Sequence, residues 1–140
     1  MGRLLRFCVL AFVCCGLATR AEALNKGTLT FLAGTYRLIG QMPDSGGLYS
    51  GTLKLRVQGS ILQVTRMING HTEQGTASLD TATPDKIPVL TAHFELDHVP
   101  YTAVYLWRTD LDNYARISGF FYPEKGEVKT PGLEALFVKP

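Results

Sequence analysis

Past residue 23 the sequence has no cysteine, because all three of its thiols, Cys8, Cys14 and Cys15, lie in the first fifteen positions. A domain built from the remainder can form no disulfide, offer no thiolate to a metal and use no cysteine nucleophile. Histidine is scarce as well: His71, His93 and His98 are the full set. With no cysteine beside them they make no usual zinc set, and His93 reads as outward between Thr91 and Glu95. No Ser-His-Asp or paired-carboxylate spacing demands chemistry, so neither a metal nor a cofactor is expected and the chain reads as non-enzymatic. Long apolar runs are missing after the N-terminus, so no transmembrane segment is expected.

The N-terminus explains the odd composition. "MGRLLR" is basic, "FCVLAFVCCGLA" is apolar but short for a bilayer span, and "AEA" (Ala21 to Ala23) offers a small-x-small cleavage site. Residues 1–23 are therefore expected to be a cleaved signal peptide, and residues 24–140 a single exported domain, periplasmic or secreted. A lipid anchor at Cys14 or Cys15 would want small residues ahead of it, where Ala11, Phe12 and Val13 stand. Cleavage would remove Arg3, Arg6, Arg20 and Glu22. That leaves 11 basic and 11 acidic residues, so the chain's formal charge of +2 belongs to the leader. A neutral domain gives no electrostatic case for nucleic acid or an anionic membrane as partner.

What the domain does have is a succession of short runs rich in Val, Ile, Thr, Tyr and Phe, broken by Gly, Pro, Asn and Asp. This is the pattern of an all-β fold. Eight strands are predicted, over about 29–39, 50–57, 60–68, 71–79, 87–96, 101–108, 114–122 and 132–138, with no competing helix. Short connections make them an antiparallel up-and-down meander closed into a barrel. A turn at Gln58-Gly59 would set Leu55 opposite Leu62 and Leu53 opposite Val64. Asn69-Gly70, a strong type I′ signal, would set Ile68 opposite His71, Arg66 opposite Glu73 and Val64 opposite Gly75. Both hairpins then present one apolar and one polar face. The two longest loops, "QMPDSGGLYS" and "PEKGEVKTPG", fall on the same rim as Arg66, Glu73 and His71, which makes that rim the expected mouth.

Two stretches resemble the lipocalins, secreted eight-stranded barrels of the calycin superfamily. "LAGTYRLIG" (Leu32 to Gly40) is similar to the family's Gly-x-Trp first-strand motif, with Gly34 and Tyr36 in the Gly and Trp places. "VYLWRTDLDNYARI" (Val104 to Ile117) is similar to its Thr-Asp-Tyr motif, with Thr109, Asp110 and Tyr114 matching and Leu111 departing. Together they cover 23 residues. The family's third motif, an Arg near the last strand's end, is replaced by Lys139, and no C-terminal helix follows. The resemblance implies a barrel carrying a small, largely apolar ligand. Avidin-like barrels share the outline but bind biotin with several tryptophans, and this chain has only Trp107.

The candidate site follows from the expected faces. Arg66 and Glu73, paired on the inner face, would either orient a ligand carboxylate or amide or serve as a rim ion pair fixing register. His71, Tyr101, Tyr105 and Phe94 would complete the mouth and lumen. Small residues on mid-strand (Gly75, Ala77, Ala92, Ala103, Ser118, Ala135) would leave room for one ligand. An even F–G loop, Asp110 to Asn113, would set Trp107 opposite Arg116. Arg116 would then brace an aromatic closed end with Tyr36, Trp107 and Tyr114; the alternatives are an outward or ligand-facing Arg116. The same register points Val104, Leu106, Ile117 and Phe121 outward, as a patch for self-association or a protein partner. The leading function is a carrier or sensor of a small apolar ligand. The alternatives are a protein-binding module, such as an inhibitor of an exported hydrolase, and a barrel isomerase-like enzyme.

Overall fold

The computed structural model describes residues 21–22, 24–107 and 115–139. Eight strands follow one another round a closed antiparallel barrel: β1 (Gly34–Gln41), β2 (Leu48–Gln58), β3 (Ile61–Ile68), β4 (His71–Ala82), β5 (Ile87–Leu96), β6 (Val99–Trp107), β7 (Ile117–Pro123) and β8 (Gly132–Val138), with β8 pairing back onto β1. Closure leaves no sheet edge, so every strand has two partners. The all-β meander read from the sequence is thus the observed fold.

Register decides which side chains reach the interior. Between β3 and β4 the pairs are as expected, Arg66 with Glu73 and Val64 with Gly75. The turn residues Asn69 and Gly70 both have positive φ, 51° and 81°, as a type I′ turn requires. Between β2 and β3 the turn is Gly59-Ser60 rather than Gln58-Gly59, and Leu55 pairs with Val64 and Leu53 with Arg66. That two-residue slip keeps each side chain on its expected face.

Two expectations of larger consequence also fail. Residues 24–32 form a short helix where the first strand was expected to begin at 29. Thr28 and Thr30, which read as strand formers, turn their hydroxyls onto the carbonyls of Leu24 and Lys26 (3.1 and 2.9 Å), a helix-compatible use of threonine. Leu29 and Leu32, three apart on one face, are buried at the barrel end away from the long loops. Tyr36 donates its hydroxyl to the Leu32 carbonyl (2.7 Å), fixing the helix to β1.

The second correction concerns β7. Trp107 pairs with Ile117 and Tyr105 with Gly119, one residue from the expected register, and a one-residue change turns a strand over. Ile117 and Phe121 are therefore core residues, while Phe120 and Ser118 face outward. The expected pairing was chosen to keep Arg108 away from Arg116. Burying Ile117 and Phe121, each about 1.5–3 kcal/mol of transfer, decides the register of β7; Arg108 lies outside the described residues. The expected outward patch loses those two residues; the outer wall instead carries Val104, Leu106, Phe120 and Leu133, with Val104 paired to Phe120 and Phe120 to Leu133.

The interior is filled over most of its length. Ala77, Ala92 and Ala103 pair consecutively across β4, β5 and β6. The room they leave is taken by Phe94, Tyr101 and Phe121, whose ring centroids lie 5.4–6.1 Å apart. Ser118 is exposed and Ala135, paired with it, shares its outer face; neither lines the lumen as expected, because β7 and β8 both present the opposite parity.

Candidate functional site

The loops that meet at the expected mouth are tied together by one aspartate. Asp44, at φ 53°, accepts the backbone N–H groups of Lys129 and Thr130 on Oδ1 (2.9 Å each), and its own N–H reaches the Thr130 carbonyl (3.0 Å). The loop after β1 and the loop before β8 are thereby joined. Inside this rim lies a cavity of about 260 Å³, lined by apolar Met42, Leu48, Ile68 and Leu96 and by polar Tyr49, Arg66, His71, Glu73 and Asp97.

Its floor is a buried polar network that the sequence reading did not contain. Arg66 is 1% exposed and Glu134 3%. Glu134 takes both guanidinium Nη groups of Arg66, Nη2 on Oε1 and Nη1 on Oε2, the latter at 3.1 Å. Tyr49 donates its hydroxyl to Oε1 and Tyr105 to Oε2. Four donors on two oxygens saturate the carboxylate, and the two-pronged arginine contact is the strong form of such a pair. Below the guanidinium the Phe94 ring sits with its centroid 3.9 Å from Cζ.

Strand register explains how these groups meet. Across five adjacent strands the cross-strand neighbours run Tyr49, Gly40, Glu134, Gly119, Tyr105. Each tyrosine is two strands from the glutamate, with a glycine between. A Cβ on Gly40 would fall 2.1 Å from the Tyr49 ring, so that phenol lies over space that only glycine leaves open.

The network's electrostatics follow from burial. Burial pushes the Tyr49 and Tyr105 hydroxyls well above the ordinary tyrosine value, and the neighbouring Glu134 charge pushes further in the same direction. For Arg66 burial acts to lower the pKa, but the Glu134 charge and hydrogen bonds override it and leave it raised. The guanidinium stays charged and the phenols stay protonated at neutral pH.

The predicted site residues are thus placed together, with altered partners. Arg66, Glu73 and His71 line the mouth cavity. Arg66 faces Glu73 across the strands, as expected, but spends its charge on Glu134. Glu73 Oε1 accepts the Asp97 N–H (3.2 Å), and its Oε2 is buried with no hydrogen-bond partner among the described residues. Tyr105 belongs to the network below, Phe94 lies under Arg66, and Tyr101 stacks on Phe94. At the far end Arg116 Cζ sits 4.7 Å from the Phe31 ring centroid. It precedes β7 in a bend, so strand alternation does not fix its direction. Tyr36 is buried nearby and Trp107 half-buried against the core. Tyr114, and with it Thr109 to Leu111 of the second motif, lies outside the described residues.

The missed residues were Glu134 and Tyr49. Glu134 carried a signal in "GLEALFV": Gly132 and Leu136, two positions away on either side, are both buried, which places Glu134 inward. Among the described residues no group of three or more His, Cys, Asp or Glu could hold a metal ion, and no helix is long and apolar enough to cross a membrane. The sequence matches no protein-family model and no curated protein.

Proposed function

We propose that this protein is a non-enzymatic carrier or sensor that takes one small, largely apolar ligand at the mouth of the barrel. The observation that carries this reading is the cavity of about 260 Å³, walled by Met42, Leu48, Ile68 and Leu96 over a floor of Tyr49 and Arg66. A saturated floor does not rearrange to admit a ligand, so it acts as a rigid base. The filled middle of the barrel confines the ligand to the mouth, and to a size below that of most drug-sized pockets. Export after cleavage near Ala23 and kinship with the lipocalins and wider calycins belong to the same reading. The closed eight-stranded meander and the two partial motifs support them.

Native mass spectrometry of the purified protein tests the ligand reading. One small-molecule adduct per chain is expected, retained from the expression host or gained from a panel of short alcohols and amines. Ile68→Trp, which fills the cavity, should abolish it. Failure to bind any panel member at micromolar to millimolar concentration, or adducts unaffected by Ile68→Trp, would sink the proposal.

A further inference from the structure

The charges on the cavity wall do not balance, and the imbalance selects a ligand. Arg66 is the one arginine or lysine on the lining, and both of its Nη groups are held by Glu134. That pair is neutral as a unit. Two carboxylates remain on the lining, Glu73 and Asp97, with His71 as the one titratable base beside them. Glu73 is committed through Oε1 to the Asp97 N–H, while Oε2 is buried without a donor among the described residues. An unpaired buried acceptor is costly. The terminal torsion of a glutamate is broad and roughly two-fold, so a small turn presents either oxygen to the cavity.

From this arrangement, and resting on the mouth-cavity reading above, we infer that the ligand is a small organic cation: an amine whose ammonium meets Glu73, with Asp97 adjacent, and whose hydrocarbon body lies against Met42, Leu48, Ile68 and Leu96. The volume holds roughly nine water-sized groups, which suits an alkyl or arylalkyl amine of six to nine heavy atoms. An ammonium gives the buried Oε2 a charge-assisted donor, which is stronger than a neutral one. A carboxylate ligand would enter as a third negative charge and meet only the buried Nε–H of Arg66, which has no partner among the described residues and belongs to a guanidinium whose charge Glu134 already balances. The fatty-acid-like occupant that an unpaired Arg66 would have suited is therefore disfavoured by the Arg66–Glu134 pair.

Isothermal titration of the full-length mature protein with hexylamine, 2-phenylethylamine, 1-hexanol and hexanoate distinguishes the possibilities. The amines should bind at least about tenfold more tightly than hexanol, the size of one charge-assisted hydrogen bond, and hexanoate should bind more weakly than hexanol. Glu73→Gln keeps an oxygen for the Asp97 N–H. It should erase the amine preference while leaving hexanol binding intact, and Asp97→Asn should reduce the preference in part. Equal binding of hexylamine and hexanol, a preference for hexanoate, or an amine preference that survives Glu73→Gln would overturn the cation inference but leave the mouth cavity as a binding site. If hexanol and the amines all fail to bind, the cavity reading falls with it. Thermal unfolding of Glu73→Gln establishes that a lost preference is not a lost fold.

Discussion

At the mouth end the barrel buries an arginine, a glutamate and the Tyr105 phenol, with Tyr49 half-buried beside them; at the far end it buries Leu29 and Leu32 of a short helix. Both ends exclude water, but they tolerate error differently. The apolar plug asks only that Leu29 and Leu32 face inward, and neighbouring side chains can shift to cover them. The polar end asks that five strands hold register to the residue, since Tyr49 must lie over Gly40 and each tyrosine must land on one carboxylate oxygen. The Glu134 carboxylate is saturated and within the network only Arg66 Nε lacks a partner among the described residues, whereas a network that has lost a member is worse than hydrocarbon of the same volume. The mouth end should therefore be the part of the barrel where a single substitution does the most damage.

Removing one member tests this most severely. Glu134→Ala strips the charge from beneath a buried guanidinium, and breaking such a pair costs about 3–5 kcal/mol. Urea unfolding should show a loss of that size or an unfolded chain. The variant Arg66→Met, Glu134→Leu, Tyr49→Phe, Tyr105→Phe replaces the whole network by hydrocarbon, leaving no phenol without its acceptor, and should recover most of the loss. A Glu134→Ala protein within about 1 kcal/mol of wild type would mean that water reaches the network, and the contrast between the two ends would fail.

The second difference is in response to alkali. Burial first, and the Glu134 charge second, raise the Tyr49 and Tyr105 hydroxyls above the ordinary value of 10.0. Between pH 10 and those raised values the folded chain holds protons that the unfolded chain has released. Each phenol thus contributes its full stability below about pH 10 and loses it as the pH rises beyond. The slope is about 1.4 kcal/mol per pH unit for each phenol, or about 2.7 for the two. Chemical unfolding measured from pH 8 to 11.5 should be flat at first and then fall. Tyr49→Phe with Tyr105→Phe should lower the plateau and flatten the fall, leaving the smaller part due to Tyr36 and Tyr101, which burial also raises. An unchanged slope in the double variant would place alkaline sensitivity elsewhere.

How far these ends could be read from the chain depends on whether the signal was local. Asn69-Gly70 states its own geometry, so the pairing of Arg66 with Glu73 was legible. Gln58-Gly59-Ser60 offers two adjacent two-residue turns; choosing the wrong one moves the register by two and harms no face. The β6–β7 connection has no such turn residues, and a one-residue error there inverted β7, putting Ile117 and Phe121 outside. The helix was hidden because Thr28, Thr30 and Phe31 favour strands, and what overrides them is burial of Leu29 and Leu32 against a barrel not yet formed. Glu134 was missed for a related reason. It is 68 residues from Arg66 and 85 from Tyr49. Closure of β8 on β1 brings Gly40 and Tyr49 to one side of it, and β7 brings Gly119 and Tyr105 to the other, so its partner had to be guessed, and the nearer Glu73 was taken.

The far end gives the smallest and most local effect. Arg116 touches the helix through Phe31, its guanidinium carbon 4.7 Å from the ring centroid, while its backbone N–H is held by the Leu136 carbonyl (2.9 Å) whatever the side chain. Arg116→Met keeps the aliphatic stem and removes the cation, so it should cost the cation–π contact with Phe31, about 0.5–2 kcal/mol, together with its interaction with the Tyr36 hydroxyl. Arg116→Lys keeps the charge but loses the flat face that lies on the ring and should fall between the two. The helix packs on one end of the barrel through Leu29, Phe31 and Leu32, so the loss should be local. Hydrogen exchange at residues 24–32 should quicken in Arg116→Met while amides of β2 to β5 keep their wild-type rates. If instead the barrel amides quicken together with the helix, the plug and the barrel unfold as one unit. The far end would then share the all-or-none sensitivity that Glu134→Ala assigns to the mouth.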